Sequence, residues 1–478
     1  MKTFSINTLG CKVNQYESQQ IRALLEGFGL RKAEESEKID LIIINTCCVT
    51  HTASTKSRQQ IRKFQKHHPE AFIVVCGCLP AMKNGLLSLG LTTTEQQTHK
   101  IRQVTNRDKL VETLTQIIST AHSKKQHEVG VRGTSYLNPQ SISTIKPEYQ
   151  SEIKPKKGTG GNPELPILTC FKGHTRAFLK IQDGCDGFCT YCIIPKTRPK
   201  VHSKTVDTVL NEAKALVRAG HKEIVITGIC LGAYGWQSTR CRDNLSRKND
   251  NLAELLDKIA QIPNLERIRV SSLEPSHITE QLLDTFCKHI NIMPHLHLSL
   301  QSGSDDILRK MCRKYNIDEV GKKIKQIKSR LYKPAMTTDI IVGFPGETDE
   351  DFDKTVKLVK ETGFAKIHVF RFSPRKGTPA ARMKAVVDSK TINKRSEILR
   401  QLDKQSGYKF RNQFIGQAAK ILIENNNDRL SGRSERYFMV YIDQPETLNH
   451  KSKIKKNELI KVNLLKNNED GMTGQPIS

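Results

Sequence analysis

The first part of the chain alternates apolar runs with amphipathic segments. Residues 1–10 predict a strand, and two continuous apolar runs, 41–45 and 72–77, have the length of buried strands. Apolar residues recur at helical spacing after the first stretch, at Ile21, Leu24, Leu25 and Phe28. A polar segment over 53–68 predicts a second helix. Continuous apolar strands separated by helices are typical of a parallel sheet. We therefore predict an α/β domain, a three-layer domain built on a parallel sheet, over residues 1–120.

A polar segment rich in Pro, Gly, Ser and Lys separates this region from a longer repeat. Residues 121–168 have no clear periodicity and are predicted to be a linker. Six strand-like runs then alternate with helical patterns; they are 177–181, 223–227, 267–272, 295–300, 336–344 and 366–372. This rhythm, over 169–405, is typical of an incomplete barrel or an open parallel sheet.

The tail changes character. After a helical segment at 391–411, three short strand-like runs are separated by polar turns: 416–424, 437–443 and 459–465. This pattern predicts a small antiparallel β module over 406–470.

The net charge of the chain indicates what kind of partner it binds. The 478 residues carry a formal net charge of +28, and a large basic excess favours a polyanion such as nucleic acid. A solvated basic surface is the alternative. No apolar run reaches the roughly 20 residues of a membrane helix, and the N-terminus lacks the pattern of a signal peptide. We therefore expect a cytoplasmic protein without a membrane partner, whose 13 cysteines are reduced and serve metal or redox chemistry rather than a disulfide framework.

Three of these cysteines lie together in 184-GCDGFCTYCIIP-195, directly after the first strand of the long repeat. Ligands in parallel α/β folds gather at the carboxyl ends of strands, so Cys185, Cys189 and Cys192 lie where active sites are built. A structural zinc site needs four ligands, and no fourth lies at zinc-finger spacing. In a cubane iron–sulfur cluster, three thiolates leave one iron open for another molecule. Three unrelated reduced thiols or a zinc site remain alternatives.

The C-x3-C-x-aromatic-C motif after a first strand resembles the radical S-adenosylmethionine (SAM) superfamily. The resemblance implies a partial (βα)6 barrel in which Cys185, Cys189 and Cys192 hold a 4Fe–4S cluster. The open iron of that cluster would bind the amino and carboxylate groups of SAM, whose reductive cleavage gives a 5′-deoxyadenosyl radical. Tyr191 is expected either to pack beside the cofactor adenine or to fill space in the loop.

The first predicted domain also has cysteines directly after its strands. Cys11 follows the first predicted strand, Cys47 the second and Cys78 the third. If these strands are parallel neighbours, the three thiols emerge at one edge of the sheet and could form a second three-thiolate site. Buried cysteines acting as small hydrophobic residues are the alternative.

The motifs around these cysteines resemble the methylthiotransferase family. G-C-K-x-N, N-T-C-x-V and G-C match its signatures for a second 4Fe–4S cluster, bound by Cys11, Cys47 and Cys78, and its C-terminal TRAM domain is a small β-barrel that binds RNA. The resemblance covers nearly the whole chain. Several segments are similar to the branch that modifies threonylcarbamoyladenosine in tRNA: 176–195, 228-GICLGAYG-235, 272-SLEPSHIT-279, 341-IVGFPGETDEDF-352 and 373-SPRKGTPA-380.

The resemblance implies an enzyme that inserts sulfur and a methyl group at C2 of N6-threonylcarbamoyladenosine next to the tRNA anticodon. Its cofactors would be two 4Fe–4S clusters and SAM, with an electron donor such as flavodoxin or ferredoxin. The alternatives are methylthiolation of isopentenyladenosine in tRNA or of a ribosomal protein, and a non-catalytic RNA-binding protein stabilised by metal. Contacts to the RNA backbone are expected from two basic groups: Lys196, Arg198 and Lys200, and the tail residues Lys451, Lys453, Lys455 and Lys456.

Four positions depart from the family pattern or duplicate it. Cys48 and Cys76 lie beside predicted ligands and could substitute for them. Pro199 stands where the family has glycine, and proline fixes the backbone φ near −65°. Ser299 stands where proline is usual. None of these changes removes a predicted cluster ligand.

Overall fold

The computed structural model divides the chain into two units, and each is described by itself. It describes residues 1–82, 100–128, 165–235, 251–426, 429–443 and 454–477. Unit 1 comprises residues 1–168 together with 196–199, and unit 2 comprises 169–195 and 200–478. Most of the predicted linker, 129–164, lies outside the described residues.

Unit 1 is built on a five-stranded parallel sheet with the order β2-β1-β3-β4-β5. Its strands are β1 (Thr3–Thr8), β2 (Arg31–Lys32), β3 (Leu41–Thr46), β4 (Phe72–Gly77) and β5 (Ile101–Gln103). Its helices are α1 (Lys12–Gly27), α2 (His51–His67) and α3 (Leu110–Glu128). The three strands predicted for this domain, now β1, β3 and β4, are therefore confirmed as parallel neighbours. The short outer strands β2 and β5 were not predicted, because two or three residues give no periodicity.

The helices of unit 1 pack on the sheet through their apolar faces. Residues of α1 and α3 share one hydrophobic cluster with alternate residues of the strands, among them Phe4, Leu41 and Val74. The opposite face of β3 is also apolar, since Ile42 and Ile44 are both buried, and α2 contacts this strand. Because both faces of the central strands are covered, they need the continuous apolar runs that the sequence shows.

Unit 2 contains the six strands predicted for the barrel. They are β6 (Arg176–Asp183), β8 (Glu223–Gly228), β9 (Arg267–Val270), β10 (His295–Gln301), β11 (Ala335–Val342) and β12 (Lys366–Arg371). They form two sheets, β7-β6-β8-β9 and β10-β11-β12, where β7 (His202–Ser203) is a short antiparallel edge. Single parallel bridges, Ile268–Ile292 and Leu273–Leu298, join the two sheets. The partial barrel is thereby confirmed.

The helices of unit 2 follow the strands in the predicted order. Their bounds are α4 (Ile194–Thr197, shared with unit 1), α5 (Val206–Arg218), α6 (Leu252–Ala260), α7 (Glu280–Lys288), α8 (Asp305–Lys310), α9 (Ile317–Arg330), α10 (Asp349–Thr362) and α11 (Ser389–Asn412). Short 3-10 turns cover Leu231–Ala233, Pro275–His277 and Pro379–Arg382, and another in unit 1 covers Arg107–Lys109. Helix α10 begins in the GFPGETDEDF segment with a capping box between Thr348 and Asp351, which satisfies two backbone N–H groups of its first turn.

The C-terminal barrel has five strands, closed in the order β13-β14-β15-β17-β16. They are β13 (Ala418–Asn425), β14 (Ser431–Ser434), β15 (Met439–Ile442), β16 (Leu459–Asn467) and β17 (Met472–Pro476). The three predicted strands are present, but β14 and β17 were missed. The prediction of a purely antiparallel module was wrong in one pairing, because β15 and β17 run parallel. The last strand, β17, lies wholly beyond residue 470, and α3 of unit 1 continues past residue 120.

The C-terminal barrel docks within unit 2 on the amino ends of the large barrel's strands. Tyr437, in the turn between β14 and β15, stacks on His295 with ring centroids 4.8 Å apart. The guanidinium groups of Arg176 and Arg269 lie 5.2 and 4.8 Å from the Tyr437 ring centroid. Arg269 also pairs with the fully buried Glu223 at 2.9 Å. This polar cluster closes the lower end of the large barrel. Among the described residues, no helix combines the length and hydrophobicity needed to cross a bilayer.

Candidate iron–sulfur and SAM site

The cysteine triplet lies on the loop that leaves the carboxyl end of β6. The loop turns at Gly184, whose N–H donates to Asp183 Oδ1 at 2.8 Å. The N–H of Cys192 donates to the carbonyl of Cys189 at 3.0 Å, which folds the second half of the motif into a turn. All three thiols are half-buried. The loop therefore presents three sulfurs from eight consecutive residues while leaving them accessible.

Hydrogen-bond donors surround these sulfurs. The N–H of Gly187 donates to Cys185 Sγ at 3.3 Å, and Arg313 Nη1 donates to Cys189 Sγ at 3.4 Å. A hydrogen bond from Cys230 lowers the pKa of the Cys185 thiol to about 7. Burial raises the pKa of Cys192 to about 12, so the triplet is not uniformly anionic without a metal. Donors aimed at sulfur stabilise thiolate ligands and tune an iron–sulfur cluster. The donor set thus fits a cluster bound by Cys185, Cys189 and Cys192.

Arg313 is a site residue that the sequence did not reveal. Besides the Cys189 sulfur, it pairs with Glu274 at 3.1 Å and donates to the Ser299 carbonyl at 2.9 Å. Its Nε donates to the Tyr315 hydroxyl at 2.9 Å. Arg313 lies more than a hundred residues from the triplet in sequence, and no local pattern distinguishes it from other arginines. The fold alone places it beside the sulfur.

Cys230 was also missed as a site residue, although it lies within the GICLGAYG segment. Its N–H donates to Gln182 Oε1 at 2.8 Å, which holds the loop after β8 against the end of β6. The neighbouring Cys185 and burial together raise the pKa of the Cys230 thiol well above its usual range. A fourth thiol therefore stands beside the triplet and is protonated at neutral pH.

Tyr191 packs toward the protein core. Its ring meets Phe344 edge-on with centroids 6.5 Å apart, and it joins a hydrophobic cluster that includes Ile307 and Met311. Burial raises the pKa of its hydroxyl well above the usual value. Of the two predicted roles for Tyr191, these contacts support the filling of space beside the triplet.

In unit 1, three cysteines lie at the carboxyl ends of adjacent parallel strands. Cys11 follows β1 and is the N-cap residue of α1, whereas Cys47 and Cys78 directly follow β3 and β4. Cys11 is exposed and the other two are buried. The sheet order brings together residues that are up to 67 positions apart in sequence.

Close backbone contacts hold these strand ends together. Gly10 adopts a φ of +111°, and a Cβ at this position would lie 2.9 Å from Cys47 Cβ and 3.2 Å from its Sγ. The buried side chain of Asn14 donates to the carbonyls of Leu9 at 2.8 Å and Thr46 at 2.9 Å. These contacts bind the loop before Cys11 to the strand end before Cys47.

Cys78 has the electrostatic environment of a thiolate. Arg107 Nη2 donates to its Sγ at 3.3 Å. A hydrogen bond from the Cys48 side chain lowers the pKa of Cys78 to about 5, with further contributions from Arg198 and Arg107. The exposed Cys11, the contact between Gly10 and Cys47, and the donors at Cys78 fit a second iron–sulfur cluster bound by these three cysteines.

Cys48 and Cys76, the cysteines next to predicted ligands in the sequence, have different surroundings. Cys48 is fully buried, and its thiol lies 3.3 Å from the Cys78 carbonyl oxygen. Cys76 belongs to the hydrophobic cluster beneath the sheet, and burial raises the pKa of its thiol to about 12. Only Cys48 is therefore placed beside a predicted ligand; Cys76 acts as a core residue.

The prediction of RNA contact needs correction at Arg198. Its Nη1 and Nη2 pair with Glu17 Oε1 and Oε2 at 2.7 and 2.8 Å, and Nη2 lies 3.2 Å from Asn14 Oδ1. Arg198 is 3% exposed, so its charge is used inside unit 1 and does not reach a phosphate. A local motif search cannot distinguish a buried arginine from the exposed lysines beside it.

The other predicted RNA contacts remain at the surface where they are described. Lys196, Lys200, Lys455 and Lys456 are exposed. Lys451 and Lys453 lie outside the described residues. The exposed lysines can supply the charge that a phosphate backbone requires.

Comparison with known families and proteins matches both units. The model of the radical SAM superfamily matches residues 179–359, and the uncharacterized protein family UPF0004 matches residues 3–94. The chain is 33% identical to the threonylcarbamoyladenosine tRNA methylthiotransferase MtaB of Bacillus subtilis over 98% of this chain and 94% of that protein. The MtaB of Thermotoga maritima is 34% identical over 89% and 87%.

A relative with a different substrate is almost as similar. The tRNA-2-methylthio-N(6)-dimethylallyladenosine synthase of Neorickettsia sennetsu is 32% identical over 94% of this chain and 89% of that protein. Among solved structures, TsrM of Kitasatospora setae, a radical SAM methyltransferase with cobalamin and a [4Fe-4S] cluster bound, matches with a TM-score of 0.50 and 13% identity, covering 80% of this chain and 77% of that one. That likeness concerns the fold alone.

Proposed function

The chain belongs to the methylthiotransferase family of radical SAM enzymes, and on that premise we propose that it methylthiolates C2 of N6-threonylcarbamoyladenosine beside the anticodon of tRNA. One observation carries the proposal. The same chain holds a cysteine triplet on one loop and three further cysteines at the ends of adjacent strands, each set arranged for three-thiolate binding. Three ligands leave one iron of a cubane cluster open, and the proposed reaction needs one such iron for SAM and another for sulfur.

The residues of the chain divide the work. Cys185, Cys189 and Cys192 would hold the cluster that binds SAM, and Gly187 and Arg313 donate hydrogen bonds to two of their sulfurs. When bound, this cluster and SAM supply a carbon-centred radical that can take a hydrogen atom from an unactivated C–H bond. Cys11, Cys47 and Cys78 hold the second cluster. A one-electron donor such as flavodoxin or ferredoxin supplies the reducing equivalent.

Binding of tRNA is proposed to rest on charge and on access to a base outside a helix. The net charge of +28 and the exposed lysines in both units favour phosphate contacts, which weaken as salt rises. A base in an anticodon loop can be splayed out and held by stacking and polar contacts. We therefore expect binding that is salt-dependent and directed to the anticodon stem-loop.

Two measurements test the proposal. Anaerobic reconstitution should give about eight irons per chain, and nucleoside mass spectrometry of tRNA from a strain lacking this gene should show loss of 2-methylthio-threonylcarbamoyladenosine. One or two zinc ions with no iron would indicate a metal-stabilised RNA-binding protein instead. Unchanged methylthio-threonylcarbamoyladenosine with loss of the methylthiolated isopentenyl nucleoside would assign the substrate of the second group of relatives.

A further inference from the structure

A set of polar side chains in unit 2 belongs to neither cysteine group. It consists of His297 on β10, Asp339 on β11 and His368 on β12, and we name it the lumen triad. His297 Nε2 lies 3.2 Å from Asp339 Oδ2, and the rings of His297 and His368 have centroids 5.6 Å apart. One nitrogen or oxygen from each residue lies within 4.8 Å of the others.

The lumen triad faces the inside of the partial barrel. Arg176 of β6, Arg269 of β9 and His295 of β10 all meet the ring of Tyr437. Side chains from three separate strands can converge on one ring only from the concave face of the curved sheet. Successive side chains of a strand alternate between faces, so His297, two residues after His295, also points into the barrel.

Arg313 links the cysteine triplet to β10, the strand that carries His297. Ser299 follows His297 by two residues, a rise of about 7 Å. The Ser299 carbonyl accepts a hydrogen bond from Arg313, which also donates to Cys189 Sγ. The triad is therefore about one layer of side chains below the level at which the barrel meets the proposed SAM-binding cluster.

The triad is also preorganised and open. Thr337 Oγ1 lies 2.8 Å from His297 Nδ1, which fixes the orientation of that ring. The side chains of His297 and Asp339 are 13% and 25% exposed, and His368 is exposed. Desolvation lowers the pKa of His368, so at neutral pH its ring offers one N–H donor and one acceptor nitrogen.

We propose that the lumen triad binds the polar substituent on N6 of the substrate adenine, a group that carries carbamoyl, hydroxyl and carboxylate functions. This inference rests on the proposed function and names the site that selects its substrate. The Asp339 carboxylate accepts from hydroxyl or N–H groups, and His368 donates to an oxygen. An isopentenyl group offers neither partner, so placing it here would exclude water from Asp339 and His368 without offering either side chain a hydrogen bond, and a site of this kind discriminates strongly.

The selectivity of the reconstituted enzyme tests the assignment. Two anticodon stem-loop RNAs, one with threonylcarbamoyladenosine and one with isopentenyladenosine, compete in one reaction, and both methylthio products are quantified by mass spectrometry. We expect the wild type to prefer the first RNA by about 100-fold or more. His368→Phe and Asp339→Asn should each lower that preference at least about tenfold. The iron content of each variant should match that of the wild type at about eight per chain, because the cysteine sites are unchanged.

A matched control is available on the outside of the barrel. His289 lies 2.7 Å from Asp257 Oδ1, so His289→Phe breaks a similar His–Asp pair at the end of α7. This variant should keep the wild-type preference. Equal loss of preference in His289→Phe would overturn the proposal, since it would show a general structural effect.

Three further outcomes are decisive. Unchanged preference in both triad variants, with a wild type that does prefer threonylcarbamoyladenosine, overturns the triad assignment and leaves the proposed function standing. A wild type that prefers isopentenyladenosine overturns both. Histidine and carboxylate ligands also suit divalent transition metals. One zinc per chain that survives chelation in the wild type, and is lost in His368→Phe together with activity on both RNAs, would replace the substrate site by a metal site.

Discussion

The two cysteine groups each place three thiols at the carboxyl ends of strands, but they are built in opposite ways. Cys185, Cys189 and Cys192 lie within eight residues of one loop, whereas Cys11, Cys47 and Cys78 come from three strands of a parallel sheet. The triplet is positioned by local turns and by a remote arginine. The dispersed group depends on strand order, close backbone contacts and buried polar side chains. A dispersed site is therefore more exposed to changes in the surrounding fold than a contiguous one.

The largest expected effect is the loss of SAM cleavage when a cysteine of the triplet, but not one of the dispersed group, is replaced. Cys185→Ala should abolish cleavage of SAM to 5′-deoxyadenosine, with a loss of at least about 1,000-fold, because removal of a ligand destroys the metal site. Cys47→Ala should retain that cleavage but form no methylthio product. Iron content should fall from about eight to about four in each variant. Loss of SAM cleavage in Cys47→Ala, with four irons retained, would contradict independent roles for the two sites.

The second prediction concerns the segment that follows the triplet but belongs to unit 1. Arg198→Met leaves Glu17 buried without its cation, and loss of one partner of a buried ion pair costs about 3–5 kcal/mol. We expect faster amide hydrogen exchange in α1, measured by mass spectrometry, with little change in β6. Lys200→Met, at an exposed position two residues later, is the control and should change the free energy of unfolding by less than about 0.5 kcal/mol. Equal effects of the two variants would count against the buried pair.

The third prediction tests the contact that joins two strand ends of the dispersed group. Gly10→Ala places a Cβ 2.9 Å from Cys47 Cβ at a backbone φ of +111°. We expect a destabilisation of about 1–3 kcal/mol and selective loss of the iron held by unit 1. Gly29→Ala is a matched control, because Gly29 has a φ of +81° but no neighbour within 4 Å. If the control loses as much iron as Gly10→Ala, backbone strain rather than the contact is responsible.

The smallest expected effect is a pH dependence in unit 2. His221 Nε2 accepts the N–H of Phe171 at 3.1 Å, and burial lowers the pKa of its ring. Because the folded state favours the neutral ring, stability is complete above the unfolded pKa of about 6.5 and falls as the pH drops below that value toward the folded pKa. The free energy of unfolding should change by about 1.4 kcal/mol per unit of difference between the folded and unfolded pKa. Thermal unfolding midpoints from pH 8 to pH 5 measure it. His221→Gln should flatten this slope, and an unchanged slope would exclude His221 as its source.

The sequence specified the elements with strong periodicity. The continuous apolar runs of β3 and β4 were readable because both strands bury nearly all of their side chains, and the six strands of the large barrel because apolar residues recur along each of them. The strands β2, β5, β14 and β17 were missed because they are short or polar, and their pairing is decided by neighbours. The parallel pairing of β15 and β17 likewise depends on closure of the small barrel, which no local pattern encodes.

The same limit applies to the site. The triplet could be recognised from spacing alone, since its geometry is local. The convergence of Cys11, Cys47 and Cys78 followed from the placement of thiols after predicted parallel strands, supported by the family signatures around them. Arg198 was assigned to RNA contact because the sequence does not show whether a charged side chain is buried or exposed. Arg313 and the lumen triad stayed invisible, because their residues meet across strands far apart in sequence.

The sequence by itself thus determined the ligand chemistry, the basic charge and the order of strands and helices, since these depend on residue type and short-range periodicity. The tertiary structure decided which charges are buried, as with Arg198 and Glu17, and which distant side chains come within 4.8 Å of one another, as with His297, Asp339 and His368. Those outcomes depend on the curvature and register of the sheets, which arise only when many weak local preferences are satisfied together.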